Sequence, residues 1–483
     1  MRRATWAVAL LAGLAWVPFV AWPLSPDEGG FLLVASQWHP GRSLYGQYWV
    51  DRPPLLLTIF DLAGHLGGAT ALRLMGIAVV VGSVILAAHL SRTATDRRTA
   101  AAPLVAAAFL TTPLFGTTEV NGELLAVPLV LTGLLTLVRA WRGAFVWAVA
   151  AGAAGMAAMM VKQNVVDVFV VAAVVVVLSA RHRGPLRALS LAAGVATGAG
   201  AILGAALAFG EARGTEPIGL WNAVVVFRAQ ASTVIRASAT TATSERLESL
   251  LAAAVVSGAP LLVVVLLLRL RGTVTIGEAL DLRVPAMALL TWEAVAVAVG
   301  GSYWLHYLIG LVPGMVLLAV AAAQRGPVRR LAAVALGLAI TSSAVAITVA
   351  ATSATPRTDD TQVAAYLRSH GTTHDSVVVG FGHPDIVWEA GLHSPYPELW
   401  SLPVRVRDSS LTDLTHVLRG RRAPTWVVVS GDSLATWGVD TSTAEDVLVH
   451  DYRQVTTIGP YVVWHHDPHS QVSGRTGDLT SSA

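Results

Sequence analysis

The sequence contains no cysteine among its 483 residues, so disulfide frameworks, thiol nucleophiles and thiolate metal sites are excluded. It also carries few charges, since Asp, Glu, Lys and Arg together make up 13% of the residues. Soluble globular proteins have about 25% charged residues. Hydrophobic residues make up 54% of the chain, and the mean hydropathy is +0.61. This composition predicts a polytopic membrane protein embedded in a lipid bilayer.

The motifs of several large protein classes are missing as well. The sequence has no G-x-x-x-x-G-K, HExxH or GxSxG pattern, so ATP-driven transport and the common hydrolase designs lack support. The pI of about 9.4 accompanies a net charge of only +3, and the arginines lie in short loops between apolar runs. That pattern is typical of membrane orientation, so we expect no nucleic-acid partner.

Apolar runs long enough to cross a bilayer predict about eleven transmembrane helices. The runs lie near residues 4–23, 69–91, 100–116, 123–139, 144–161, 164–180, 186–209, 249–268, 284–301, 303–323 and 329–351. If the chain starts inside with Arg2 and Arg3, the arginine-rich loops alternate as the positive-inside rule requires. The pattern therefore predicts a cytoplasmic N-terminus and an uncleaved first helix.

After Thr352 the composition changes to that of a small α/β domain. TDDTQVAAYLRSHG and HPDIVWEAGL are typical of helices, SVVVGFG and PTWVVVSG of buried strands, and YRQVTTIGPYVVWHHD of a hairpin. The odd number of spans predicts that this domain lies outside the cytoplasm. We therefore expect a membrane domain at residues 1–355, an extracytoplasmic α/β domain at 356–467 and a disordered tail at 468–483.

The predicted outer loop at residues 211–248 is unusually long and basic. Its central part is typical of an amphipathic helix that lies on the membrane surface. The basic residues are on the side that the positive-inside rule disfavours, which indicates either an anionic ligand or a loop long enough to escape the rule.

Acidic residues collect in the predicted outer loops. Asp27 and Glu28 follow the first span, and adjacent carboxylates in a hydrated cavity can accept a proton or bind a cation. Glu119 and Glu123 lie between the third and fourth spans. They are either ordinary outer-loop acids or oxygen ligands that complete a divalent metal site with Asp27 or Glu28.

Basic residues on the same side are candidates for binding an anion. Lys162 is the only lysine of the chain and lies in a very short outer turn. Its ammonium suits a phosphate or carboxylate partner, unless the side chain merely extends to the lipid headgroups. Arg52 either clamps a phosphate or pairs with its neighbour Asp51. His306, at the outer start of the tenth span, is a ligand, a proton carrier or an ordinary interfacial group.

The order and sidedness of these motifs resemble the GT-C polytopic glycosyltransferases. Within that class, the chain is similar to the protein O-mannosyltransferases and the lipid A aminoarabinose transferase. The resemblance rests on Asp27-Glu28, Tyr45, Asp51-Arg52-Pro53-Pro54-Leu55, Lys162-Gln163, His306-Tyr307-Leu308 and Pro313, and on the outer α/β domain.

The resemblance implies an enzyme of the plasma membrane that transfers a sugar from a polyprenyl-phosphate carrier to an acceptor in the cell envelope, usually with inversion. Asp27 would be the general base, and Glu28 would assist it or bind a metal. Metal use varies across the class, so a divalent cation is a candidate cofactor. The residues that would hold the donor phosphate are Arg52, Lys162, Tyr45 and His306.

Two other classes of function compete with this interpretation. A transporter or lipid flippase would place charges near the bilayer midplane. The central spans here are almost free of charge, with Asp167 and Glu293 as the main exceptions. A non-catalytic scaffold that displays the outer domain would leave Lys162 and the Asp27-Glu28 pair unexplained.

Overall fold

A computed structural model describes residues 3–38, 44–95, 100–237, 241–271, 279–326 and 330–467. The predicted disordered tail at 468–483 lies outside the described residues. Helices that precede the C-terminal domain are α1 (Arg3–Trp16), α2 (Pro26–Ser36), α3 (Pro54–His65), α4 (Ala69–Ala94), α5 (Ala101–Thr111), α6 (Gly122–Trp141), α7 (Phe145–Val161), α8 (Asp167–Arg183), α9 (Pro185–Ala212), α10 (Pro217–Trp221), α11 (Phe227–Ala237), α12 (Thr241–Val256), α13 (Ala259–Arg269), α14 (Arg283–Val299), α15 (Val312–Arg325) and α16 (Arg330–Thr352).

Each of the predicted apolar runs coincides with one of these helices or with a pair of them. Within the described ranges, six helices are long and apolar enough to cross a membrane, and the bent pair α12–α13 brings the number to seven. Other runs form shorter apolar helices such as α1, α5 and α7. The protein is therefore a helical, multi-pass membrane protein, and the total of about eleven spans stays a prediction.

The central part of the segment at 211–248 is helical, as expected. A short π-helical stretch, Asn222–Val226, joins α10 to α11. The continuous helix Pro217–Ala237 has the length and hydropathy of a membrane span, although only 22% of its apolar window is buried. That this helix lies along the membrane surface stays a prediction.

Helix α2 begins directly after the first span because of a local sequence signal. Ser25 caps the helix, and its hydroxyl accepts a hydrogen bond from the Glu28 backbone N–H while the Glu28 carboxylate accepts one from the Ser25 N–H. Pro26 fills the first helical position, where a missing N–H costs nothing. This capping box fixes the carboxylates of Asp27 and Glu28 in the first turn of the helix.

The C-terminal domain has the helices and strands that its sequence predicts, and further short helices lie between them. Its helices are α17 (Thr358–His370), α18 (Pro384–Ala390), α19 (Ser401–Arg407), α20 (Thr412–Arg419) and α21 (Ser442–Asp451). Its strands are β1 (Val377–Gly380), β2 (Trp426–Ser430), β3 (Tyr452–Ile458) and β4 (Tyr461–His466), and they form one sheet in the order β1-β2-β4-β3. The β1–β2 pair is parallel, and the β3–β4 pair is the predicted antiparallel hairpin.

The two faces of this sheet serve different cores. Val377 and Val379 of β1 join the hydrophobic core that continues into the membrane helices. Val378, which points to the opposite face, belongs to a separate core beneath α20 and α21. The C-terminal domain is therefore packed onto the membrane helices along one face of its sheet.

Candidate active site

Glu28 is fully buried, and both of its carboxylate oxygens have partners. Its carboxylate forms an ion pair with Arg73 (Oε2–Nη2 2.8 Å) and accepts a hydrogen bond from the Val120 N–H (2.7 Å). The Ser25 N–H donates to the same carboxylate at 2.9 Å. Arg73 lies inside α4 and is 1% exposed. Glu28 thus ties α2, α4 and the start of α6 together instead of facing an open space.

Asp27, the preceding residue, has a different environment. It remains partly accessible, and its Oδ1 accepts a hydrogen bond from the Trp400 indole N–H (3.1 Å). Trp400 belongs to the C-terminal domain and also packs against Phe31 of α2, with ring centroids 5.5 Å apart. Burial raises the pKa of the Asp27 carboxyl, while the nearby Arg52 guanidinium acts in the opposite direction.

Arg52 lies in the loop between α2 and α3, where it forms an ion pair with Asp51 (Nη1–Oδ1 2.5 Å). Asp51 also pairs with Arg228 of α11. Burial acts to raise the pKa of Asp51, but Arg228 and Arg52 outweigh this effect and lower the pKa below its ordinary value. The Tyr45 hydroxyl donates a hydrogen bond to the Arg52 carbonyl oxygen (3.0 Å), and this bond stabilises the loop at Arg52.

Lys162, Glu123, His306 and Glu119 form a continuous row of charged side chains. Lys162 forms an ion pair with Glu123, and its ammonium lies over the Tyr307 ring. The imidazole of His306 lies between the two glutamates, 3.7 Å from Glu123 and 3.7 Å from Glu119. The row therefore alternates acid and base, which limits the cost of burying these charges.

The structure brings most of the predicted site residues into one electrostatic cluster. The groups that interact most strongly with the Asp27 carboxylate include Arg52, His306, Glu119 and Glu123. Lys162 joins this cluster through Glu123. Glu28 holds α2 in position through Arg73, and Tyr45 holds the loop that contains Arg52. The cluster lies at one end of the helices, beneath the C-terminal domain.

Three residues of this site are absent from the sequence-based predictions: Arg73, Arg357 and Trp400. Arg357, just before α17, pairs with Glu119 (3.0 Å) and so links the C-terminal domain to the row. Arg73 could have been found, because an arginine within an apolar run normally has a partner. Trp400 carries no such signal, since its contact with Asp27 spans 373 residues.

The expected metal ligands already have basic partners. Glu119 pairs with Arg357, and Glu123 pairs with Lys162, and their role as metal ligands with Asp27 or Glu28 stays a prediction. Among the described residues, the group with the donor atoms and spacing of a metal site lies elsewhere, in the C-terminal domain. Its members, Asp360, His383 and Asp385, have donor atoms within 4.8 Å of one another.

The arrangement of helices and the C-terminal domain matches that of known structures. The crystal structure of ArnT from Cupriavidus metallidurans bound to undecaprenyl phosphate has a TM-score of 0.62 and 16% sequence identity, over 97% of this chain and 98% of that one. The apo structure of the same protein has a TM-score of 0.60 and 13% identity, over 96% of this chain and 98% of that one. The expected similarity to the GT-C glycosyltransferases is thus confirmed for the fold. No protein-family model and no curated protein matches the sequence.

Proposed function

We propose that the protein is a membrane glycosyltransferase that moves a sugar from a polyprenyl-phosphate-linked donor to an extracytoplasmic acceptor, with inversion. The observation that carries the proposal is the partly accessible Asp27 carboxylate in the same buried polar cluster as Arg52 and Lys162. The fold shared with ArnT, whose structure holds undecaprenyl phosphate, supports a lipid-phosphate donor.

In this mechanism the acceptor nucleophile attacks the anomeric carbon from the face opposite the phosphate. Asp27 accepts the proton from that nucleophile as its oxygen or nitrogen forms the new bond. The bond between the anomeric carbon and the phosphate oxygen breaks, and the lipid phosphate leaves with the electron pair. One displacement of this kind inverts the configuration at the anomeric carbon.

The negative charge that develops on the leaving phosphate needs preorganised cations in a site with little water. Arg52 and Lys162 have the required charge, and His306 lies beside Lys162 on the same row. Each of the three is mostly buried, with side-chain exposures of 19%, 13% and 15%. Low exposure strengthens their interaction with a phosphate.

Other predicted residues have supporting roles in this proposal. The ion pair of Glu28 with Arg73 suits a residue that positions α2, and with it Asp27. Tyr45 positions the Arg52 backbone. Glu119 and Glu123 hold Arg357 and Lys162 in place through their ion pairs, and a divalent cation held by these glutamates with Asp27 or Glu28 stays a candidate cofactor.

The test is turnover of a labelled polyprenyl-phosphate sugar by the Asp27→Asn variant. Asparagine keeps the size of the side chain but cannot take a proton, so turnover should fall by about 10²–10⁴-fold. Donor affinity should change little, because the lost interaction belongs to the transition state. The measurement is made at equal amounts of folded protein in reconstituted vesicles.

Glu28→Gln provides the contrasting variant. Removing one partner of a buried ion pair costs roughly 3–5 kcal/mol, so this change should lower the yield of folded protein more than the turnover of each folded molecule. Near-normal turnover by Asp27→Asn would contradict the proposed base. Movement of the intact lipid-linked sugar across the vesicle membrane, without sugar transfer, would instead favour the transporter or flippase.

A further inference from the structure

A second group of ionisable side chains lies in the C-terminal domain and shares no residue with the proposed reaction centre. Asp360 is in the first turn of α17, His383 immediately precedes α18, and Asp385 is in the first turn of α18. Asp360 and Asp385 are 6% and 1% exposed, and His383 is partly exposed. We call this group the carboxylate–imidazole cluster.

The protein leaves the Asp385 carboxyl only partly partnered among its described residues. Within the described part of the chain, Asp360 forms its ion pair with His383 (Oδ2–Nδ1 3.4 Å), and Asp385 forms none. The Asp385 Oδ1 atom is buried and has no hydrogen-bond partner among the described residues.

An unpartnered carboxylate oxygen is costly in a folded protein unless something else satisfies it. The Asp385 carboxylate offers a donor atom within 4.8 Å of donor atoms on Asp360 and His383, so the three side chains converge on one point. A positive ion at that point would satisfy the Asp385 carboxylate and neutralise the repulsion between the two aspartates.

The donor atoms indicate the class of ion. One imidazole nitrogen and two carboxylate oxygens suit Zn²⁺, which takes His and Asp ligands together, better than Mg²⁺ or Ca²⁺, which prefer oxygen ligands alone. Tyr461 lies beside these ligands, and its hydroxyl donates to the Asp360 Oδ1 at 2.5 Å. A hydrogen bond from a neighbouring group to a ligating carboxylate is a regular feature of metal sites.

The cluster lies directly behind the helix that carries Asp27. A Cβ atom at Gly29 of α2 would be 2.4 Å from the Asp385 Cα, so α2 and α18 are in backbone contact. Asp360, on α17, is held to β4 through Tyr461. An ion shared by Asp360, His383 and Asp385 would therefore join α17 to α18 at the point where the C-terminal domain meets α2.

We propose that Asp360, His383 and Asp385 bind one divalent cation, with Zn²⁺ as the best match, and that this cation joins α17 to α18 where the C-terminal domain meets α2. The proposal is independent of sugar transfer, because it concerns metal binding and the stability of the domain. It can fail while the glycosyltransferase function stands, and the reverse also holds.

The test measures Zn²⁺ binding to the full chain in detergent after treatment with a chelator and dialysis. Bound metal is counted by elemental analysis, and the affinity is measured by calorimetric titration. The wild-type protein should hold one equivalent more than Asp385→Asn. Tyr461→Phe keeps all three ligands and should weaken binding by about 10–100-fold, which is the usual effect of losing a hydrogen bond to a ligand.

Asp359→Asn is the matched control. Asp359 neighbours Asp360 on α17, but its carboxylate lies against Gly459 and is outside the cluster. This variant should bind Zn²⁺ like the wild type. Zn²⁺ should also raise the Tm of the wild type and of Asp359→Asn, but not that of Asp385→Asn.

Equal Zn²⁺ binding by the wild type and Asp385→Asn would overturn the proposal. If Asp385→Asn binds as much Zn²⁺ as the wild type and also has a higher Tm than the wild type in chelator, the two aspartates share a proton instead of a metal ion. If Asp385→Asn does not fold, Tyr461→Phe and His383→Gln decide the question, and unchanged Zn²⁺ affinity in both would reject the site.

Discussion

The environments of Asp27 and Glu28 differ because successive residues of a helix do not face the same way. Glu28 points into the protein, where Arg73, Ser25 and Val120 saturate its carboxylate. Asp27 keeps access to the cluster of basic groups, and its carboxylate accepts a hydrogen bond from Trp400. A carboxylate that is fully buried among such partners is closed to an acceptor nucleophile, and this difference is why we assign the general base to Asp27.

Trp400 gives a test of that assignment through the pH dependence of turnover. A base works only when deprotonated, and burial raises the pKa of Asp27, so turnover should be lost as the pH falls through a pKa above the ordinary carboxyl range. The Trp400 N–H stabilises the charged carboxylate. In Trp400→Phe the acid limb of the kcat/KM profile should therefore move to higher pH.

Phenylalanine at position 400 keeps an aromatic ring beside Phe31 but lacks the donor. If the indole acts on Asp27, turnover of this variant should recover at high pH. A profile that is lowered equally at every pH would indicate that Trp400 serves only packing between the C-terminal domain and α2.

Lys162 can be tested through donor affinity. A charge-assisted contact with a phosphate is worth roughly 1.5–3 kcal/mol, so Lys162→Ala should weaken binding of the polyprenyl-phosphate donor by that amount. Lys162→Arg should restore part of the affinity, because a planar guanidinium cannot reproduce the point charge of an ammonium. Unchanged donor affinity in the alanine variant would leave Lys162 as a structural partner of Glu123.

Single residues were predictable where the sequence carries a local signal. Asp27, Lys162 and His306 stand out because charged groups beside apolar runs are rare. The partners that give them their properties, Trp400 and Arg357, lie in a different domain and carry no local pattern. Their roles depend on the packing of that domain, which no short stretch of sequence specifies.

At the scale of helices and strands, the sequence predicts most of what the structure contains. Apolar runs give the helices, and short continuous valine runs give buried strands such as Val377–Gly380. The contacts between elements are harder to predict, because they depend on small residues that apolar periodicity does not distinguish. The glycines of α7 and α9 are an example.

Gly152 of α7 and Gly198 of α9 allow these helices to approach closely. A Cβ atom at Gly152 would lie 1.9 Å from the Val195 carbonyl oxygen, and one at Gly198 would lie 1.9 Å from that of Val149. Close contact through small residues is a regular basis of helix association in membranes. Helix α7 ends at Val161, next to Lys162, so this contact also fixes the position of the lysine.

Gly152→Ala should therefore destabilise the protein by about 1–3 kcal/mol, the usual cost of overpacking. The matched control is Gly204→Ala in α9, because a Cβ atom at Gly204 would have no neighbour within 4 Å. Thermal unfolding of the two variants in detergent gives the comparison. Equal stability of both variants would mean that α7 and α9 separate without cost.

At the scale of the whole molecule, the charged groups divide between the two ends of the helices. The cluster of Asp27, Arg52 and Lys162 lies beneath the C-terminal domain, which contributes Trp400 to it. Most of the arginines in the short loops lie at the opposite end. The positive-inside rule predicts that those loops are cytoplasmic, and it therefore predicts that the whole proposed site is extracytoplasmic.

The orientation can be measured with single cysteines, because the natural chain has none. Ser410, in the C-terminal domain, and His182, near the end of α8, are both exposed. In intact cells, a membrane-impermeant maleimide should label Ser410→Cys and should not label His182→Cys. His182→Cys should react only after the membrane is permeabilised, which shows that its thiol is accessible.

The reverse labelling pattern would have a direct chemical consequence. A cluster that faces the cytoplasm would meet soluble nucleotide-linked sugars, and a lipid-linked donor would no longer be needed to deliver the sugar. If only Ser410→Cys is labelled, the cluster faces away from the cytoplasm. Activated sugars are made inside the cell, and a charged nucleotide does not cross a bilayer unaided. A lipid carrier is then the expected source of the transferred sugar. The orientation of the chain therefore decides which class of donor the cluster of Asp27, Arg52 and Lys162 can meet.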